Sequence, residues 1–259
     1  MPRPGFEPRS SPLHELVSPG KRPGLPSKGQ HDWPDYTTAA SKPSNFLHRI
    51  KKFRRIVLKD MLSSQNIMDM PSKNIHITHD NHPYPHWILQ NVFPENSAKQ
   101  SAAALDSFKF TRSVSDLFQF WQTADFKTLK LPQPLHELYH HFSSKNFISY
   151  IAKLTHTKLS STIDMSAFRY EDTDYLLPHD DQLEGRKIAY VLNLSTLKEK
   201  EGGALELFEN NKSNPTKVVK RYQPVFNSLV LFQVSPTSWH QVAEVIKKNR
   251  LTITGWFHD

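Results

Sequence analysis

The sequence predicts an α+β fold, a double-stranded β-helix (jelly roll) with N-terminal helices packed on one sheet. Two observations support this prediction. Apolar side chains recur at helical spacing over residues 86–157, and after residue 160 the spacing changes to the alternation of strands, in short runs separated by turn residues. With 259 residues and 37% hydrophobic content, the chain can fold one large domain but is too polar to be folded throughout.

The first 45 residues are predicted to form a disordered tail. They contain nine of the 19 prolines and four of the eight glycines, without a sustained hydrophobic period. Such a segment cannot bury enough apolar surface to offset the loss of chain entropy. It also lacks the apolar core of a secretory signal.

Residues 46–85 are predicted to form a basic helix and a linker. Lys51, Lys52, Arg54 and Arg55 make a short basic run, and residues 1–60 carry 12 Lys and Arg against five acidic residues. The other 199 residues are nearly neutral, with 21 against 20. The basic run is either a solvated helix face, or a signal for nuclear import or for weak contact with RNA or ribosomes.

The folded domain is predicted to span residues 86–259. An alanine-rich helix is expected after Pro94, and two further helices are indicated by the apolar spacings of LPQPLHELYHHF and NFISYIAKL. The preceding stretch HITHDNHPYPHW is expected to be a loop, because two prolines interrupt it. Its four histidines fit neither a helix face nor a strand pair, so we do not predict a metal site there.

Eight strands are predicted after residue 160: STIDMSAFRY, YLLPHD, KIAYVLNLS, GALELFE, KVVKRY, SLVLFQV, WHQVAEVI and RLTITGWFH. Turns are expected at Glu184-Gly185, Gly202-Gly203, Asn210-Asn211 and Lys248-Asn249. Short antiparallel strands behind a helical layer favour a jelly roll, which presents strand-borne ligands in its mouth. The longest apolar runs have the length of strands, so no membrane span is predicted.

His179, Asp181 and His240 are the candidate catalytic and metal-ligating residues. The sequence has no cysteine, so only histidine and carboxylate ligands are available for a transition metal. Alternate side chains of a strand share a face, so His179 and Asp181 are expected to reach one point, and His240 follows another strand-like run. Two imidazoles and one carboxylate on one side of iron(II) leave positions open for a bidentate cosubstrate and dioxygen. Asp180 is expected to point away from this group.

Arg250 and Thr252 are the candidate residues for the far end of the cosubstrate. Both lie on the last predicted strand, on one face. A guanidinium is always charged and matches a carboxylate in shape, so a dicarboxylate cosubstrate such as 2-oxoglutarate is indicated. The alternative for Arg250 is a charge on an edge strand that faces water.

With these residues placed, the chain resembles the iron- and 2-oxoglutarate-dependent ribosomal prolyl 3-hydroxylases. The resemblance runs from about Pro85 to Asp259. It depends on FQFWQTADF, on LLPHDDQLEGRKIAYVLNL, on GGALELF, on FNSLVLFQVSPTSWHQVAEV and on RLTITGWFHD.

The resemblance implies iron(II) at His179, Asp181 and His240, with 2-oxoglutarate as cosubstrate and ascorbate as reductant. It implies that Arg250 and Tyr170 hold the cosubstrate. Asn193 stands where the family usually has a second tyrosine, so a water would be needed to reach the same carboxylate. Members of the family carry a second, non-catalytic jelly roll after the catalytic one. Because this sequence ends at Asp259, we expect a fragment, a splice form or an incomplete gene model.

The resemblance implies hydroxylation at C3 of a prolyl residue in a small-subunit ribosomal protein, with the enzyme in the nucleus and cytoplasm. Two alternatives are a nucleic-acid demethylase of the same chemistry and a catalytically weak protein that contacts RNA or ribosomes. Enzymes that act on flipped bases need basic surfaces along the strand. The nearly neutral body of this chain therefore favours a peptide substrate.

Overall fold

The computed structural model describes residues 75–211 and 214–259. The predicted tail over 1–45 and the predicted basic helix after residue 46 lie outside the described residues. Three α-helices, α1 to α3, are found in the described part, and their bounds are Glu95–Asp106, Gln133–Ser143 and Lys145–Thr155. None of the described helices combines the length and apolar character needed to cross a membrane.

The strands of the described residues, β1 to β12 in chain order, are His76–Asp80, His86–Gln90, Thr111–Ser115, Phe118–Gln122, Ile163–Tyr170, Tyr175–His179, Arg186–Asn193, Leu205–Asn211, Asn214–Tyr222, Ser228–Gln233, His240–Val242 and Arg250–His258. Short 3-10 helices cover Phe126–Thr128 and Glu199–Glu201. Each of the eight strands predicted after residue 160 is present, as β5 to β12.

The strands form one curled antiparallel sheet in the order β1-β2-β10-β7-β12-β5-β4-β6-β11-β8-β9, and β3 extends it beside β4. All pairings are antiparallel. Five neighbouring strands, β2, β10, β7, β12 and β5, make one wall. The facing wall consists of β6, β11, β8 and β9. The predicted jelly roll is confirmed.

β7 shows why its sequence reads as a continuous apolar run. Ile188, Tyr190 and Leu192 pack into the cluster that includes the helix side chains Leu135 and Phe142, whereas Ala189 and Val191 pack into the barrel interior. Both faces of the strand are therefore buried, as in a sheet covered on both sides. The helices lie on one wall, as predicted.

The stretch HITHDNHPYPHW was expected to be a loop, and this expectation is wrong. β1 and β2 form an antiparallel hairpin from it, with His76 opposite Gln90 and Asp80 opposite His86. Both prolines lie between the strands, at 83 and 85, where neither removes a ladder hydrogen bond. The sheet thus extends before residue 86.

The segment over 86–157 was read as helical on balance, but it also contains the β3–β4 hairpin. Val114 lies opposite Gln119 and Arg112 opposite Trp121 in that hairpin. Its sequence mixes aromatic and polar residues without a clear helical or strand period, and its strands are five residues long. A short partly exposed strand carries too weak a pattern to be separated from its helical surroundings.

Gly255 of β12 lies tightly against the backbone of the neighbouring strand β5. A Cβ at this position would overlap the backbone oxygen of Asp164 and lie 2.6 Å from the Tyr190 hydroxyl. That hydroxyl donates to the same Asp164 oxygen at 2.7 Å. Only glycine leaves room for this bond.

Gly255→Ala is therefore expected to destabilise the domain by about 3 kcal/mol, because either the strand or Tyr190 must move. The midpoint of thermal unfolding should fall by roughly 10 °C. Thr254→Ala, one residue away and only partly buried, is the matched control. If Gly255→Ala and the wild type had the same midpoint of thermal unfolding, the strands would not be packed this closely.

Candidate metal and cosubstrate site

The three predicted metal ligands converge at the barrel mouth. His179 ends β6, His240 begins β11 directly opposite it, and Asp181 follows β6 by two residues. The Asp181 carboxylate lies 3.4 Å from Nε2 of His179 through Oδ1 and 3.4 Å from Nε2 of His240 through Oδ2. One ligand atom from each residue lies within 4.8 Å of the others, and no other cluster of this kind occurs in the described part of the chain.

The backbone brings these side chains together by two irregularities rather than by the regular alternation that we expected. The register between β6 and β11 shifts, since His240 lies opposite His179 but Val242 lies opposite Leu176. Such a bulge turns His179 to the interior face that Leu176 shares. Asp181 lies beyond the strand with φ 63°, a left-handed conformation that aspartate tolerates better than most residues.

Hydrogen bonds at the far side of each ring fix the histidine tautomers. Nδ1 of His179 lies 2.9 Å from the carbonyl oxygen of Leu177, and Nδ1 of His240 lies 2.8 Å from that of Ser238. A carbonyl can only accept, so each neutral ring carries its proton on Nδ1. Each Nε2 lone pair then points into the cluster, as a metal ligand requires.

The charges of the cluster suit a divalent cation. Burial alone would raise the pKa of Asp181, but the two histidines hold it well below its usual value, so the carboxylate is ionised. Burial and the neighbouring His179 lower the pKa of His240. Burial opposes charge on His179 as well, but the neighbouring Asp181 carboxylate raises its pKa overall. The His179 side chain is 31% exposed, against 6% for His240, so it marks the open side.

Two neighbours of Asp181 complete the local structure. Trp256 of β12 donates from Nε1 to Asp181 Oδ2 at 3.1 Å, a contact that the sequence reasoning missed. Arg250, Thr252 and Trp256 are separated by even numbers of residues on β12, so their side chains share one face of the strand. This spacing could have predicted from sequence that Trp256 lies in the interior. Asp180 points elsewhere and accepts hydrogen bonds from the backbone and side chain of Gln182.

Arg250 is buried in the barrel interior, with 2% of its surface exposed. It lies opposite Tyr170 in the β12–β5 ladder, and its Cζ is 5.1 Å from the centre of that ring. Its Nε has no hydrogen-bond partner, and no carboxylate of the described residues forms an ion pair with it. Burial therefore lowers the pKa of this guanidinium.

Thr252 and Asn193 lie beside Arg250, directly opposite each other across β12 and β7. Both are buried. The Thr252 hydroxyl and the Asn193 Oδ1 have no hydrogen-bond partner, although the amide nitrogen of Asn193 donates to Ser228 Oγ at 3.1 Å. Burial raises the pKa of Tyr170 to about 12, with Asp181 also raising it and Arg250 lowering it, so its phenol stays protonated.

This arrangement fits iron(II) and a dicarboxylate. Buried polar atoms are almost always paired, so the unpartnered atoms of Arg250 and Thr252 fit an anionic ligand. The donor set of the cluster is the two-histidine, one-carboxylate set of non-haem iron sites. Trp256, which contacts Asp181, shares β12 and one of its faces with Arg250, and this relates the two ends of the site. A separate cavity of about 520 Å³ lies on the helix side of β7, away from these residues.

Comparison with known proteins agrees with this chemistry. Residues 165–258 match the 2OG-Fe(II) oxygenase superfamily. The chain is 37% identical over 185 residues to prolyl 3-hydroxylase OGFOD1 of Xenopus laevis, covering 69% of this chain and 36% of that protein. It is 36% identical over 190 residues to prolyl 3-hydroxylase OGFOD1 of Mus musculus, covering 69% and 33%. The chain spans about a third of the length of these curated relatives.

Among solved structures, the fold is similar to a prolyl-4-hydroxylase of Pseudomonas putida. The TM-score is 0.56 with 17% sequence identity, over 67% of this chain and 91% of that one. At this identity the likeness establishes the jelly-roll fold alone.

Proposed function

We propose that this chain, which carries a 2OG-Fe(II) oxygenase domain, is a 2-oxoglutarate- and iron-dependent dioxygenase that hydroxylates a prolyl residue of a protein. One observation carries the proposal: a His-Asp-His cluster and a buried guanidinium without a carboxylate partner share one barrel interior. An isolated buried charge is costly, so we infer that the fold maintains Arg250 for an anionic ligand.

His179, Asp181 and His240 are the proposed iron ligands. The carboxylate supplies one negative charge, and the Leu177 and Ser238 carbonyls hold both imidazoles with Nε2 available. When bound, iron(II) and dioxygen couple the oxidative decarboxylation of 2-oxoglutarate to hydroxylation of a C–H bond. Ascorbate is the proposed reductant that keeps the iron ferrous between turnovers.

Arg250, Tyr170, Thr252 and Asn193 are the proposed cosubstrate residues. Arg250 neutralises the far carboxylate of 2-oxoglutarate, and Thr252 can donate its free hydroxyl to the same group. Tyr170 stays protonated and packs beside the guanidinium. Asn193 offers an acceptor oxygen, so a bridging water is needed between it and a carboxylate.

The proposed substrate is a small-subunit ribosomal protein hydroxylated at C3 of a proline. Support comes from the two relatives, which are named prolyl 3-hydroxylases, and from the nearly neutral charge of residues 61–259. We also propose that the enzyme acts in the nucleus and cytoplasm, where such proteins are assembled and used. Weak contact with RNA or ribosomes is proposed for the basic run at residues 51–55, which lies outside the described residues.

Mass spectrometry of ribosomal proteins tests this proposal. Small ribosomal subunits from cells that lack the gene are incubated with the chain, iron(II), 2-oxoglutarate and ascorbate. We expect the mass of one added oxygen atom on a prolyl residue, with fragmentation and amino-acid analysis distinguishing C3 from C4. The His240→Ala variant is the control. The proposal would be contradicted if no ribosomal protein gained an oxygen atom. It would also be contradicted if the wild-type chain and His240→Ala added equal amounts of oxygen.

A further inference from the structure

We propose that Trp256 is a positioning residue that holds Asp181 so that the carboxylate binds metal through one oxygen, and that Arg186 strengthens this hold. The inference rests on the proposed function, because it concerns the same metal centre. It adds two residues to that centre, neither of which would touch the metal.

Asp181 needs an external support. It lies outside β6 in a left-handed conformation, so the strand ladder does not fix its orientation. Its contacts with the two histidine Nε2 atoms, at 3.4 Å, are longer than an ordinary hydrogen bond. Those Nε2 atoms are also the ones that a metal would take. The Trp256 indole, at 3.1 Å from Oδ2, is the contact that can persist when metal binds.

The choice of oxygen has a chemical consequence. An N–H bond to Oδ2 leaves Oδ1 as the better metal ligand, which makes the carboxylate monodentate. A bidentate carboxylate would occupy a further coordination position. Iron(II) needs that position if it is to accept a chelating 2-oxo acid and dioxygen in addition to three protein ligands.

Arg186 is placed to polarise the indole. It begins β7, and its Cζ lies 3.3 Å from the centre of the Trp256 ring. No carboxylate of the described residues forms an ion pair with it. A cation over the ring face is attracted to the π electrons. By drawing electron density from the ring, it makes the Nε1 hydrogen a stronger donor to Asp181, and it also fixes the ring in one orientation.

The test is nickel(II) binding by isothermal titration calorimetry, which needs no turnover. Nickel binds imidazole well enough to be measured even with a damaged site, and the His179→Ala/His240→Ala double variant gives the background from other histidines. Trp256→Phe keeps an aromatic ring and removes the N–H donor, and we expect about tenfold weaker binding. Arg186→Met should weaken binding by about threefold. Trp121→Phe is the matched control, because its indole nitrogen has no partner.

A double-mutant comparison separates positioning from general structural support. If Trp256 acts through Asp181, adding Trp256→Phe to Asp181→Ala should cause no further loss of nickel affinity. An equal loss in both backgrounds would overturn the inference, as would wild-type affinity in Trp256→Phe. A wild-type chain that binds no more nickel than the double-histidine variant would instead overturn the proposed metal site itself.

Discussion

Replacing His240 by alanine is expected to lower the release of succinate from 2-oxoglutarate by at least about 1,000-fold, because a metal ligand contributes several kcal/mol to the reaction. His240 is 5% exposed and supplies one of the two imidazoles of the cluster. The measurement is succinate formation with iron(II), dioxygen and 2-oxoglutarate at saturating concentration.

His140→Ala is the matched control, because His140 is an exposed histidine of α2 outside the site. It should turn over like the wild type. Equal turnover in the His240→Ala variant would remove the enzyme proposal. It would leave the alternative of a protein that only contacts ribosomes or RNA.

Replacing Arg250 by methionine is expected to raise the KM for 2-oxoglutarate by about 100-fold or more. The substitution removes a charge-assisted pair of hydrogen bonds, each of which contributes roughly 1.5–3 kcal/mol. Because Arg250 is buried without a counterion among the described residues, the metal-free, ligand-free variant should unfold at the same temperature as the wild type or higher.

Thermal unfolding with and without 2-oxoglutarate gives an independent readout of Arg250. Ligand that binds only the folded state stabilises it, so 2-oxoglutarate should raise the wild-type midpoint in the presence of manganese(II) but leave that of Arg250→Met unchanged. Arg169→Met is the control. Arg169 lies next to Tyr170 but turns to the other face of β5, with Cζ 4.7 Å from the centre of the Phe110 ring. If 2-oxoglutarate still raised the unfolding midpoint of Arg250→Met, Arg250 would be excluded as the partner of the anion.

Much of the wall structure could be predicted from sequence because β5 to β12 combine period-two alternation with turn residues between them. The buried strand β7 also stands out by its apolar run IAYVL, which is buried on both faces. β1, β2, β3 and β4 were missed because prolines lie between β1 and β2, and the polar residues of β1 and β3 obscure the period. Their pairing depends on contacts with β10, β5 and β6, which no local pattern encodes.

The candidate site could be assembled from residue types and spacing, but its geometry could not. His179 and Asp181 meet His240 through a bulge in β6 and a left-handed residue, neither of which local sequence specifies. The contact from Trp256 to Asp181 joins residues 75 apart in the chain and depends on the sheet order. Such contacts follow from tertiary packing rather than from a motif.

The most direct test of the joint iron and 2-oxoglutarate site is anaerobic absorption spectroscopy of the chain with iron(II), titrated with 2-oxoglutarate. A 2-oxo acid that chelates ferrous iron gives a charge-transfer band in the visible range. We predict this band for the wild type, its absence in His240→Ala, and its appearance only at much higher 2-oxoglutarate concentration in Arg250→Met. A wild-type protein without the band, or a band unchanged by His240→Ala, would contradict the joint iron and 2-oxoglutarate site.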